Sequence, residues 1–108
     1  MTAYQKIFAA LGIASLQMVS TQALAMDGAE LYVERTCIAC HGAEGRVPVM
    51  SMYPALAGQN APYMVNQMKD IKSGARNNSH SMAMANVMHM ISDEEMNTVA
   101  EWLAGLPE

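Results

Sequence analysis

Cys37-Ile38-Ala39-Cys40-His41 sets two thiols two residues apart and an imidazole directly after the second. Thiols at this spacing can add across the two vinyl groups on one edge of a porphyrin. The next residue is then carried under the iron, where a ring nitrogen can bind it, so the run reads as an attachment signature for covalent haem. These are the only two cysteines in the chain, and attachment would leave no free thiol. A second cluster lies later: Met82, Met84, Met88 and Met90 crowd a short window with His80 just before it and His89 inside it. Thioether and imidazole groups suit soft metals, so this cluster also fits a Cu(I)-handling module.

Three other chemistries are weaker. A thiol–disulfide oxidoreductase carries its Cys-x-x-Cys at a helix start within a βαβ pattern, and no such pattern is present. A structural zinc site needs a second pair of ligands at usable spacing, which is lacking. Copper handling leaves Cys37 to His41 without a role.

The elements that must position these groups read as helices. Asp27 can cap a first helix, with Glu30 completing a capping-box-like pattern, and Ala29, Tyr32, Val33 and Thr36 share one face at helical spacing. Gly42 and Gly45 end helical structure after the histidine. Residues 46–60 have no period and contain Pro48, Pro54 and Gly58; a loop this long in so small a domain suits wrapping one edge of a cofactor. Asn60 caps the clearest helix, where Ala61, Met64, Val65, Met68 and Ile71 form one apolar stripe, Lys69 and Lys72 sit in the last turn, and Gly74 ends it. A polar loop spans 76–81. Ser92 and Glu95 then make a capping box, Ile91 and Met96 a hydrophobic staple, and Met96, Val99, Ala100 and Leu103 a buried stripe that Gly105 and Pro107 terminate. No segment alternates like a strand, so the expected fold is all-α, three to four helices around a cofactor.

Lys6, the apolar stretch from Ile7 to Leu16 and the small-residue end Ala23-Leu24-Ala25 predict a secretory signal peptide over 1–25, with the domain over 26–108. An uncleaved anchor is disfavoured, because a span needs about twenty apolar residues and Ser15, Gln17 and Ser20 interrupt this run. The remaining part carries five basic side chains against ten acidic ones, a balance of −5. That balance excludes a nucleic-acid partner, which needs a basic face. No second long apolar run exists, so no membrane span is expected in the mature chain. A chain this short buries a thin core and needs a staple, and a covalent haem plate would serve as one.

Gly28-Ala29-Glu30-Leu31-Tyr32, Cys37-Ile38-Ala39-Cys40-His41-Gly42, Pro54-Ala55-Leu56-Ala57-Gly58-Gln59, Tyr63, Gln67, Gly74-Ala75-Arg76 and Ser92-Asp93-Glu94-Glu95 follow one another in that order. Together they resemble bacterial class I c-type cytochromes, the monohaem periplasmic ones and single domains of dihaem cytochromes c, over nearly all of 26–108. The resemblance implies one haem c held through Cys37 and Cys40, and first and last helices that cross, with Gly28 or Ala29 at the contact and Tyr32 packed on Trp102. It implies that the Pro54 carbonyl accepts a hydrogen bond from the ring N–H of His41, an iron ligand.

A methionine sulfur would be the sixth iron ligand. In relatives it stands seven residues before the apolar residue preceding the Ser-Asp-x-Glu cap, here Ile91, which selects Met84, with Met82 and Met88 as alternatives. Met88 can equally join Met84, Val87 and Ile91 in a helical face against the core. Met50, Met52, Met64, Met68 and Met96 are expected in core or haem-wall packing, and His80 and His89 on the surface or behind the ligands. Tyr63 and Arg76 are secondary candidates as donors to a haem propionate. With both axial positions filled the iron has no vacancy, which suits one-electron transfer rather than catalysis. The resemblance therefore implies a periplasmic electron carrier between redox partners of a respiratory or dehydrogenase chain, acting as a monomer, or a cytochrome subunit of a multi-subunit oxidoreductase. Partners would dock transiently at the exposed haem edge, and the acidic balance points to a basic docking face on them. A haem enzyme or gas sensor would require that no methionine bind the iron.

Overall fold

The computed structural model describes residues 12–16 and 25–108. The signal peptide expected over 1–25 lies, but for 12–16 and 25, outside the described residues. Among these, five α-helices and no strand occur: α1 (Gly28–Glu34), α2 (Cys37–His41), α3 (Ala61–Ser73), α4 (Ser81–Met88) and α5 (Asp93–Ala104). None is long and apolar enough to cross a membrane.

The local signals act largely as their chemistry dictates. The Asn60 side chain accepts from the Tyr63 amide at the start of α3, and Gly74 closes that helix in the left-handed region at φ 84°. Ser92 and Glu95 exchange both bonds of the capping box on α5. Asp27 accepts from the Glu30 amide at 2.9 Å, the Asp27 half of such a box.

The face of α1 differs from the expected one. Gly28, Leu31 and Tyr32 are buried, whereas Ala29 is exposed, Val33 is 52% exposed, and Thr36 lies beyond the helix at φ 64°. Seven residues make less than two turns, so spacing alone leaves the face open. The approach of α5 decides it. A Cβ on Gly28 would stand 2.3 Å from Trp102 Cβ and 2.9 Å from the Thr98 carbonyl, so Gly28 and not Ala29 is the crossing contact. Tyr32 packs on Trp102 there, with ring centroids 5.3 Å apart.

The core joins Met64, Val65, Met68 and Ile71 of α3 to Met96, Val99, Ala100 and Leu103 of α5, with Tyr32, Met88 and Ile91 closing its ends. Burying each large side chain contributes about 1.5–3 kcal/mol. The half-exposed Arg35–Glu95 pair, 2.7 Å apart, also links α1 to α5, but such pairs contribute about 1 kcal/mol or less. The frame is therefore set by apolar burial.

Candidate functional site

One apolar cleft of about 300 Å³ gathers the residues singled out from the sequence. Cys37, Cys40 and His41 enter it from α2, Met84, Val87 and Met88 from α4, and Met64, Met68, Val99 and Leu103 from the stripes of α3 and α5. The wrapping loop contributes Met52, Pro54 and Leu56.

Backbone geometry aims α2 into this space. Thr36 adopts the left-handed region just before Cys37, turning the chain sharply from α1. Gly42 ends α2 at φ 79°, and a Cβ there would lie 1.9 Å from the Val47 carbonyl. Only glycine lets the loop pass so close. The loop is then tied down: the Val49 amide donates to Cys40 O at 3.0 Å, Leu56 to Gly45 O at 2.7 Å, and Gly58 to Leu103 O at 2.9 Å. Tyr32 also donates its hydroxyl to Gly42 O, and burial pushes its pKa up to about 12.

His41 is buried, with Nδ1 2.8 Å from the Pro54 carbonyl oxygen. A carbonyl can only accept, so Nδ1 carries the proton and Nε2 keeps its lone pair. Burial lowers the pKa of His41, an effect the Pro54 bond partly opposes. The ring is thus held neutral and oriented, the form that binds a metal. Burial pushes the Cys37 thiol up to about 11. Disulfide-exchange sites lower this pKa to generate thiolate, the opposite of what burial does to Cys37.

The methionines part company by burial. Met84 is half-buried and Met88 is 2% exposed; both line the cleft. Met82 is 72% exposed and does not line it. Met64 and Met68 form a wall and Met96 the core, as expected. Met50 is exposed and away from the lining, whereas Met52, though exposed, lines the cleft as a wall residue would. His80 and His89 are exposed, and His80 also meets Tyr53 edge-on at 5.9 Å along the cleft.

Tyr63 and Arg76 both line the cleft, with Tyr63 exposed. Arg76 Nη1 donates to Gln67 Oε1 at 3.0 Å, which adds Gln67 to the polar end of the site. Its place one helical turn after Tyr63 was the available signal. Lys72 donates to the Ile91 carbonyl at 2.8 Å and pins the chain just beyond α4. From sequence it was legible only as a favourable charge at a helix end.

Two thiols on one turn at the rim, a neutral imidazole with an uncommitted nitrogen, thioethers in the same cleft and an apolar floor make a donor set that fits a covalently attached haem. Fold and site together define a small all-α haem protein. The chain matches the family model for Cytochrome c over residues 25–107. It is 37% identical over 103 residues to a thiosulfate dehydrogenase electron acceptor of Stutzerimonas stutzeri (strain A1501), covering 89% of this chain and 46% of that protein. It is 33% identical over 93 residues to cytochrome c-553 of Nitratidesulfovibrio vulgaris (strain DSM 19637 / Miyazaki F), covering 86% of this chain and 89% of that one. It is also 38% identical over 68 residues to cytochrome c4 of Pseudomonas aeruginosa, covering 63% and 32%. The chain therefore spans about half the length of the first relative and about a third of the last, but most of cytochrome c-553. It belongs to the cytochrome c family, as a class I c-type cytochrome with covalently bound haem c and its iron, among electron carriers.

Proposed function

We propose that the chain is a periplasmic one-electron carrier with His41 and Met84 as the axial ligands of its haem and Cys37 and Cys40 as its thioether anchors. The observation that carries this reading is the convergence of all four side chains on one apolar cleft, with the His41 ring fixed by the Pro54 carbonyl. Bound haem supplies the ferric–ferrous couple. The protein's own groups do the rest. His41 presents its free nitrogen in a set orientation, and the Met84 thioether favours the reduced state and raises the potential. The apolar floor keeps water out, so little must reorganise when one electron arrives or leaves. With His41 and Met84 both given to the iron, no position on it would be left for a substrate, which suits a carrier rather than an enzyme. Arg76, placed by Gln67, and Tyr63 serve as donors for a propionate.

The leader over 1–25 would deliver the chain to the periplasm, where haem c is attached. A dehydrogenase is the class of electron donor suggested by the relative named as an electron acceptor, and service as a subunit of such a complex is the second reading. A Cu(I) module would need Met82, Met84, Met88 and Met90 on one side of the chain. Their burial separates them, with Met88 in the core and Met82 and Met90 outside.

Met84→Ala tests the assignment. The variant should keep its haem through denaturing electrophoresis, lose the weak near-infrared sulfur-to-iron band, show a lower potential, and bind carbon monoxide rapidly when reduced. Haem that washes out of the wild type would sink the attachment through Cys37 and Cys40, and an unchanged band in Met84→Ala would move the ligand to Met88.

A further inference from the structure

The chain has three imidazoles, and the cleft sorts them. His41 enters from α2 with its ring fixed on the Pro54 carbonyl. His89, just past the end of α4, is exposed and does not line the cleft. His80 does line it, with its ring resting edge-on against Tyr53.

His80 stands at the N-cap position of α4, and Met84 follows four residues on. Side chains at that separation lie one above the other on a helix face. The Met84 amide points back to His80 O at 3.5 Å, and both side chains line the cleft. The face that offers the thioether thus offers an imidazole one turn away. That imidazole is lightly held. His80 is exposed, and Ser79 before it adopts φ 55°, a left-handed conformation that is costly for a residue with a Cβ. Resetting this turn would release strain and leave Met88, at the buried end of α4, in place.

We infer that His80 is a reserve ligand: when the Met84 thioether is off ferric iron, its imidazole takes the vacated position opposite His41. The inference rests on the reading of His41 and Met84 as axial ligands. Ligand chemistry sets the oxidation state in which His80 acts. A thioether raises the potential, so putting an imidazole in its place favours ferric over ferrous iron. The ferric protein therefore closes on His80, whereas the reduced protein without its thioether stays open to carbon monoxide. No electron moves and no bond of the chain breaks; one donor lone pair replaces another. A carrier so equipped does not present an open ferric iron to anions or oxidants each time its sulfur lets go.

The test compares ferric holoproteins at neutral pH by electron paramagnetic resonance and by azide titration. Met84→Ala should be low-spin with the signature of two imidazoles, and Met84→Ala/His80→Ala should be high-spin. Azide should bind Met84→Ala at least about tenfold more weakly than the double variant, because apparent affinity falls with the fraction of open iron. Free imidazole added to the double variant should restore the low-spin state, which a collapsed site would not allow. His89→Ala in place of His80→Ala should leave Met84→Ala low-spin, with azide affinity within about twofold.

A high-spin Met84→Ala, azide affinities within about twofold with and without His80, or an equal effect of His89→Ala would overturn the inference. A sulfur-to-iron band that survives Met84→Ala would instead fault the choice of Met84. The same comparison in Met88→Ala, with and without His80, would then decide the inference.

Discussion

Gly28→Ala puts the crossing of α1 and α5 to a quantitative test. The added methyl would stand 2.3 Å from Trp102 Cβ and 2.9 Å from the Thr98 carbonyl oxygen, where ordinary contact is about 3.5–4.0 Å. Neither obstacle is a flexible side-chain tip, so the helices must part by about 1 Å or more. Overpacking of this kind costs about 1–3 kcal/mol. Part of the Tyr32–Trp102 contact, now at 5.3 Å, goes with it, at about 0.5–1.5 kcal/mol. Alanine returns at most about 1 kcal/mol of helix propensity. The net loss is about 1–3 kcal/mol, which in a domain of this size lowers Tm by about 5–20 °C. Far-ultraviolet circular dichroism melts of the holoprotein read this directly. Ala29→Leu, one residue on and exposed, should stay within about 0.5 kcal/mol. A Gly28→Ala variant that melts within about 2 °C of wild type, or an Ala29→Leu variant that loses more than it does, would refute the assignment of the crossing contact.

Lys72→Met removes the side-chain donor to the Ile91 carbonyl; about 1 kcal/mol should be lost, with faster amide exchange at 89–91 as its local signature. Ser92→Ala breaks one bond of the capping box on α5 and should cost about 1 kcal/mol in chemical denaturation. The bond from the Ser92 backbone amide, then that from Arg35, holds the Glu95 carboxyl below its usual range. A depressed carboxyl adds stability that is complete above its unfolded pKa and is lost as pH falls through the folded one. Melts of Glu95→Gln should therefore fall less steeply than wild type as pH drops below about 4.5, and parallel curves would show that this carboxylate carries no such linkage.

Much of the architecture was legible because it rests on local chemistry. Asn60 and Ser92 cap their helices through bonds that span three residues, and the stripes of α3 and α5 run for three turns, long enough for the helical period to name every buried residue. The Cys37-to-His41 run was legible for a stronger reason: the bond pattern of haem attachment is itself a sequence spacing. The reading failed on α1, whose seven residues hold too little period to fix a face. It failed also on Met50, which is exposed and does not line the cleft, since an irregular loop has no repeat from which burial can be read.

The sequence by itself thus determined the class of cofactor, the helical frame and the caps that begin its helices, all consequences of contacts within a few residues. Only the tertiary structure decided which small residue meets Trp102, which of four crowded methionines face the cleft, and that Lys72 fastens Ile91. Those outcomes depend on groups far apart in the chain, and spacing along one strand of sequence carries no record of what lies across the gap.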